Sequence, residues 1–297
     1  MSELPLKYKI ADKALSLIAS LPMGCLYALV APVGFTLHHI MHYRKKVIRK
    51  NLRNSFPGKD DVELRKIEKG FYRHLSHCIA ETIKLKNISD KELAERMRIT
   101  NPEVVEDILA SGTPVVLMLG HIGNWEFVPQ LTMSVKTRTP FGEIYRKMHD
   151  HHWGEIIYNL RDRWDNVTQI PQDDAVKTIF RWNQSGPWIV GFLADQRPNS
   201  RNLNHWMMFL NQDTPVAVGA EQIGKHTKAR FVYADIEKVS KGHYTLTYKE
   251  IIPPADSSSP FPVMEEYLRL LEKTISRDPS IWLWSHNRWK YKHVENK

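Results

Sequence analysis

A chain of 297 residues with two cysteines is long enough to enclose one large core, and it excludes the disulfide-stapled secreted classes. Hydrophobic residues at 42%, charged residues at 25% and a mean hydropathy of −0.42 exclude a disordered chain and a polytopic membrane protein. A net charge of +9 favours an anionic partner, whether a lipid surface, a phosphate or an acidic protein.

The charge is unevenly placed. Residues Ala14 to Tyr43 contain no Asp, Glu, Lys or Arg, and Arg44, Lys45, Lys46, Arg49, Lys50 and Arg53 follow at once with no acid among them. An apolar stretch of this length meets the criterion for a membrane span, and a basic flank is held on the cytoplasmic side. Residues 1–56 therefore form an N-terminal membrane anchor with a basic exit, ahead of a body spanning 57–297. The stretch exceeds the h-region of a cleaved signal peptide. Pro22, Pro32 and the histidines 38, 39 and 42 leave both a span and an interfacial helix open. Cys25 and Cys78 have no motif around them and fit small buried hydrophobes in a reducing compartment.

Downstream, Leu64, Ile67, Phe71, Leu75, Cys78, Ile79 and Ile83 recur at three and four, which predicts a long amphipathic helix between Asp60 and Leu85. Ser89 and Glu92 have capping-box spacing, and Asn101-Pro102 opens another helix. Pro114 to Leu119 is a continuous apolar run of strand length, as is Trp188 to Ala194. Helical patterns occupy 124–134, 151–165, 173–184 and 262–276. Phe231 to Ile236 and Tyr244 to Ile252 alternate as a strand pair, and Ile281 to Trp284 predicts a terminal strand. Strands alternating with helices define an α/β fold, a single domain with a central mixed sheet flanked by helices.

In such a sheet, chemistry gathers where strands end, so Gly120-His121-Ile122-Gly123-Asn124-Trp125-Glu126 draws attention. Five residues turn an α-helix by about 500°, so His121 and Glu126 would stand about 140° apart on a continuous helix and could not meet. They converge only if His121 precedes the helix. Gly120 and Gly123 supply the backbone freedom for that turn. Glu126 would then accept a hydrogen bond from one imidazole nitrogen and raise the basicity of the other, making His121 a general base. Chance supplies a His-x4-acid match or two in a chain with 14 histidines and 33 acids; this one has a single match, directly after the strongest buried-strand signal.

The Gly-His-x-Gly-Asn-Trp-Glu block resembles the His-x4-acid acyltransferases, and its form is similar to the late lipid A acyltransferase branch. The resemblance extends over the hydrophobic anchor, Tyr145-Arg146, Ala194-Asp195-Gln196, Phe209 to Pro215, and Trp282 to Lys290. It departs at Lys147 to His152, where the family usually has a turn containing Pro or Asn. The resemblance implies a glycerophosphate-acyltransferase-like fold and transfer of an acyl chain from a thioester, typically on acyl carrier protein, to a hydroxyl of a membrane-embedded, phosphorylated glycolipid. It implies no cofactor and no metal, a body on the cytoplasmic face of the inner membrane, and contact with an anionic membrane surface.

On that reading His121 takes the hydroxyl proton and Glu126 holds the imidazole. No Gly-x-Ser-x-Gly nucleophile is present. Arg146 is the candidate for the oxyanion or a substrate phosphate, and Asp195 and Gln196, following the second buried strand, are candidates for substrate contact. The C-terminal tryptophans with Arg288, Lys290 and Lys292 fit either a membrane-interface patch or packing on the sheet. The alternative within the same chemistry is an acyltransferase for another lipid acceptor, a lysophospholipid or an ornithine-type lipid; outside it three rivals compete: a zinc enzyme using His149, His151, His152 and Glu155, a non-catalytic membrane scaffold, and, weakest, a nucleic-acid module. For the last, no basic sheet with interleaved aromatics is present.

Overall fold

The computed structural model describes residues 5–200, 203 and 205–292. The chain runs α1 (Leu6–Ala19), α2 (Met23–Phe35), a π turn (Thr36–Ile40), α3 (Lys45–Ser55), α4 (Asp61–Lys84), α5 (Asp90–Arg96), β1 (Met97–Ile99), α6 (Glu103–Ala110) and β2 (Val115–Leu119). A 3-10 helix (Trp125–Met133) leads to β3 (Phe141–Tyr145), α7 (His151–Arg161), β4 (Val167–Pro171), α8 (Ala175–Asn183) and β5 (Ile189–Leu193). Then come the hairpin β6 (Trp206–Phe209) and β7 (Gln212–Pro215), α9 (Gly219–Thr227), β8 (Arg230–Ser240), β9 (His243–Glu250) and α10 (Pro262–Arg277).

Seven strands form one sheet in the order β1-β9-β8-β2-β5-β3-β4, with β6 and β7 paired separately. Only β8 and β9 are antiparallel within the large sheet, so the sheet is mixed and the α/β expectation holds. β2 lies at its centre and every one of its residues is buried, as its unbroken apolar run requires. β5 begins equally buried, but Gly191 and Phe192 are half-buried and Leu193 is exposed, so this strand opens toward its C-terminal end.

The helix over 60–85 forms as α4. Asp60 accepts from the amides of Val62 and Glu63, both at 2.8 Å, and Glu63 reaches back to the Asp60 amide at 3.0 Å, completing a capping box. The single apolar stretch divides into two helices because Pro22 cannot continue α1 and instead opens α2. Met23–Ile40 is long and apolar enough to cross a membrane by length and composition. One face of α2, with Leu26, Tyr27 and Val30, packs on Ala80 of α4. The other faces leave Leu29, Val33 and Phe35 exposed, continuous in character with Leu6, Ile10 and Leu17 of α1. Cys25 is exposed on this surface rather than buried, because its side of α2 faces away from α4.

The segment 281–284 is not a strand. A 3-10 turn at Pro279–Ile281 precedes it, Trp284 N–H folds back on the Trp282 carbonyl at 2.9 Å, and one bridge, Ile122 to Trp282, is all that remains of pairing. The segment 124–134 is 3-10 rather than α-helical, with Pro129 inside it unable to donate a hydrogen bond.

Replacing Asp60 by Ala removes the cap of α4 and is expected to lower global stability by about 1 kcal/mol. A shift of the urea midpoint at unchanged slope is the measurement that checks it.

Candidate active site

The site is set by register. β2 and β5 are parallel neighbours with Leu119 opposite Leu193, so His121 and Asp195 leave the sheet two residues beyond the same level. Asp195 accepts from His121 Nδ1 at 2.6 Å, from the His121 backbone N–H at 2.9 Å and from Trp282 Nε1 at 2.8 Å. Burial opposes ionisation of this carboxyl. Attraction to the His121 ring and the three hydrogen bonds outweigh it and hold Asp195 below the ordinary carboxylate value. The pair fixes the imidazole tautomer and leaves Nε2 as the nitrogen for a reacting group.

The turn after β2 is equally determined. A Cβ at Gly120 would lie 2.6 Å from Leu271 Cδ1, so the buried Leu271 side chain would have to shift to admit one. Gly123 has φ +58, and a Cβ there would crowd Ile236 and Tyr244. His121 therefore precedes the helix, as the spacing demands. The Trp125 ring stands edge-on to the imidazole at 4.9 Å.

The expected hydrogen bond from His121 to Glu126 is replaced by two others. His121 Nδ1 is taken by Asp195, and Glu126 is gripped by Arg161, with Nε to Oε2 at 2.7 Å and Nη2 to Oε1 at 2.6 Å. A planar guanidinium matches a carboxylate in this bidentate way better than an imidazole can. Glu143 of β3 joins the group. Its carboxyl is pushed up to about 8 by burial and then by the Glu126 charge, against the pull of Arg161, and its Oε2 is buried without a hydrogen-bond partner. At neutral pH a proton on Glu143 spares the site a second buried negative charge.

Asp195 does not present a free carboxylate to substrate, since it is 1% exposed and its oxygens are occupied. Gln196 follows it, half-buried. Arg146 is exposed at the end of β3 and lines a cleft of about 270 Å³ with Lys147, Met148, His149 and His151. Among the described residues no three His, Cys, Asp or Glu side chains are grouped as a metal would need. His152 lies against the Tyr8 ring at 4.6 Å.

A family model for bacterial lipid A biosynthesis acyltransferases matches residues 9–291. The chain belongs to that family. No curated protein matches the chain significantly.

In this lipid A-type acyltransferase the C-terminal tryptophans pack inward. Trp282, Trp284 and Trp289 are buried, their indole N–H groups bonded to Asp195, the Pro279 carbonyl and Thr214. Arg288 is fully buried beside Asp195, its Nε, Nη1 and Nη2 without hydrogen-bond partners. Burial pulls it down to about 10 against the attraction of Asp195, so it remains a cation at neutral pH and offsets the buried carboxylate. Of the tryptophans and basic residues of the expected patch, Lys290 and Lys292 are the exposed ones.

Arg161 was not legible as a site residue. Its signal is slight: it follows the buried stripe Ile156 and Leu160 of α7, where an arginine needs an acidic partner.

Because Asp195 titrates below its unfolded value, its stabilisation is complete above the ordinary carboxylate range and is lost as pH falls through its folded value. Asp195→Asn is expected to cost about 1–3 kcal/mol at pH 7. The difference from wild type should begin to shrink below about pH 4 and go on shrinking as pH falls further, as read from denaturation midpoints across pH.

Proposed function

We propose that the protein transfers an acyl chain from an acyl carrier protein thioester to a hydroxyl of a lipid A precursor, with His121 as general base. The observation that carries this is the 2.6 Å contact between His121 Nδ1 and buried Asp195 at the mouth of the sheet. Asp195 holds the ring and stabilises its positive form, so Nε2 takes the acceptor proton as the oxygen attacks the thioester carbonyl. The carbonyl becomes an oxyanion, then collapses with loss of the thiolate, which receives the proton from the imidazolium. No acyl-enzyme is required.

Glu126 contributes through Arg161. Pinned on one side by the carboxylate, the guanidinium keeps its outer donors for negative charge at the oxyanion. Arg146, in its cleft with Lys147, His149 and His151, suits a phosphate of the acceptor or of the donor's phosphopantetheine. Gln196 borders the same turn as Asp195 and is assigned to substrate contact.

The membrane supplies the acceptor. The exposed apolar residues of α1 and α2, followed by the basic start of α3, favour a bilayer surface, the cytoplasmic face of the inner membrane on this reading. Packing of Leu26, Tyr27 and Val30 against α4 supports an interfacial seat for residues 1–56 in preference to a free span.

Wild type incubated with acyl carrier protein thioester and the tetra-acylated precursor is expected to add one acyl mass to the lipid. His121→Ala should lower the rate by about 10²–10⁴-fold, read by mass spectrometry. Thioester consumption with another lipid extract alone would move the acceptor; no consumption with any lipid would reject the acyltransferase.

A further inference from the structure

Glu81 is a buried carboxylate in the middle of the molecule that the proposed chemistry does not use. It is 0% exposed and sits on α4 with His74 and Cys78 along one face, at i, i+4 and i+7. That face holds the turn after β2. His74 Nε2 lies 3.2 Å from the Gly123 carbonyl, and Cys78 Sγ donates to the same carbonyl at 3.3 Å. His74 is pushed down to about 3 by burial and by Lys238, so the ring is neutral, with its hydrogen on Nε2 and Nδ1 facing Lys238 Nζ at 3.4 Å.

Glu81 makes the third grip. Its Oε2 accepts from Asn124 Nδ2 at 3.0 Å and from the Tyr244 hydroxyl at 2.9 Å, while Oε1 accepts from the Tyr27 hydroxyl of α2 at 2.9 Å. Asn124 in turn accepts the Glu126 amide at 3.2 Å and caps the 3-10 helix. One carboxylate therefore lies between a helix whose outer face is apolar and exposed and the loop that carries His121 and Glu126. A carboxyl group buried this deeply depends on its three donors, and leaving one of its oxygens unmatched is costly.

We propose that Glu81 is a positioning residue, the junction through which the seating of α2 on α4 fixes the geometry of the loop 121–126. Its use in catalysis rests on the acyltransferase reading above; the mechanical link does not. Tyr27 belongs to the apolar segment that meets lipid on that reading. A shift of α2 against α4 would break the Oε1 bond and release Asn124 toward alternative partners, loosening the amide of Glu126 and with it the grip on Arg161.

The test compares wild type, Tyr27→Phe and Glu81→Gln as full-length protein in lipid nanodiscs. Amide hydrogen exchange over 120–127 is measured beside turnover with acyl carrier protein thioester. Tyr27→Phe, which removes one hydroxyl, is expected to speed exchange in that segment about tenfold and to lower kcat similarly with donor KM unchanged. Glu81→Gln, which places an amide among three donors, should do more. Exchange over 120–127 that stays at the wild-type rate in Tyr27→Phe overturns the proposal, as does exchange that rises equally in β8 and β9, the mark of general destabilisation. If wild type transfers no acyl group to any lipid, the acyltransferase reading fails, while locally faster exchange still upholds the junction.

Discussion

Asp195 is the residue on which the rest of the site depends. A carboxylate buried this deeply is tolerable only when its oxygens are met by well-placed donors. Here those donors are the ring and the backbone of His121 and the indole of Trp282, and Arg288 adds a buried positive charge. The arrangement requires β2 and β5 to be neighbours in register, and requires the C-terminal segment to return across the top of the sheet. Disturbing any of these would strand a charge. The His121 imidazole is thus oriented by the same contacts that close the fold.

A second pair, Glu126 with Arg161, is separate from the first and does different work. It ties the loop after β2 to α7 across the sheet, and the bidentate geometry leaves neither partner free to follow His121. Glu143 beside it stays protonated near neutrality, so the group carries one negative charge against one positive. Two pairs, His121 with Asp195 and Arg161 with Glu126, stand where the sequence suggested a single dyad.

The N-terminal helices are fastened to this core as well as exposed to the outside. Tyr27 reaches Glu81, Lys84 Nζ donates to the carbonyls of Ala19 and Leu21, and Lys86 pairs with Asp12 at 2.6 Å. Polar contacts thus occupy the inner face of these helices, with leucine, valine and phenylalanine exposed on the outer.

By itself the sequence determined the elements whose signals are local. The capped stripe of α4, the unbroken apolar run of β2, the alternation of β8 and β9, and the glycine-flanked His121 each follow from spacing and backbone freedom. The block around His121, with Tyr145-Arg146, Ala194 to Gln196, Phe209 to Pro215 and Trp282 to Lys290, carried the resemblance that the family match over 9–291 bears out. The strands β1, β3 and β4 carried no comparable signal: β1 has three residues, and β3 and β4 mix polar and apolar residues with neither the unbroken run of β2 nor a regular alternation. Only the tertiary structure decided the partners. Asp195 lies 74 positions from His121, and Arg161 lies 35 from Glu126. Spacing along a chain predicts contacts within a turn or two, whereas these depend on which strands lie side by side. The acid nearest in sequence therefore lost the imidazole to one brought opposite it by the sheet.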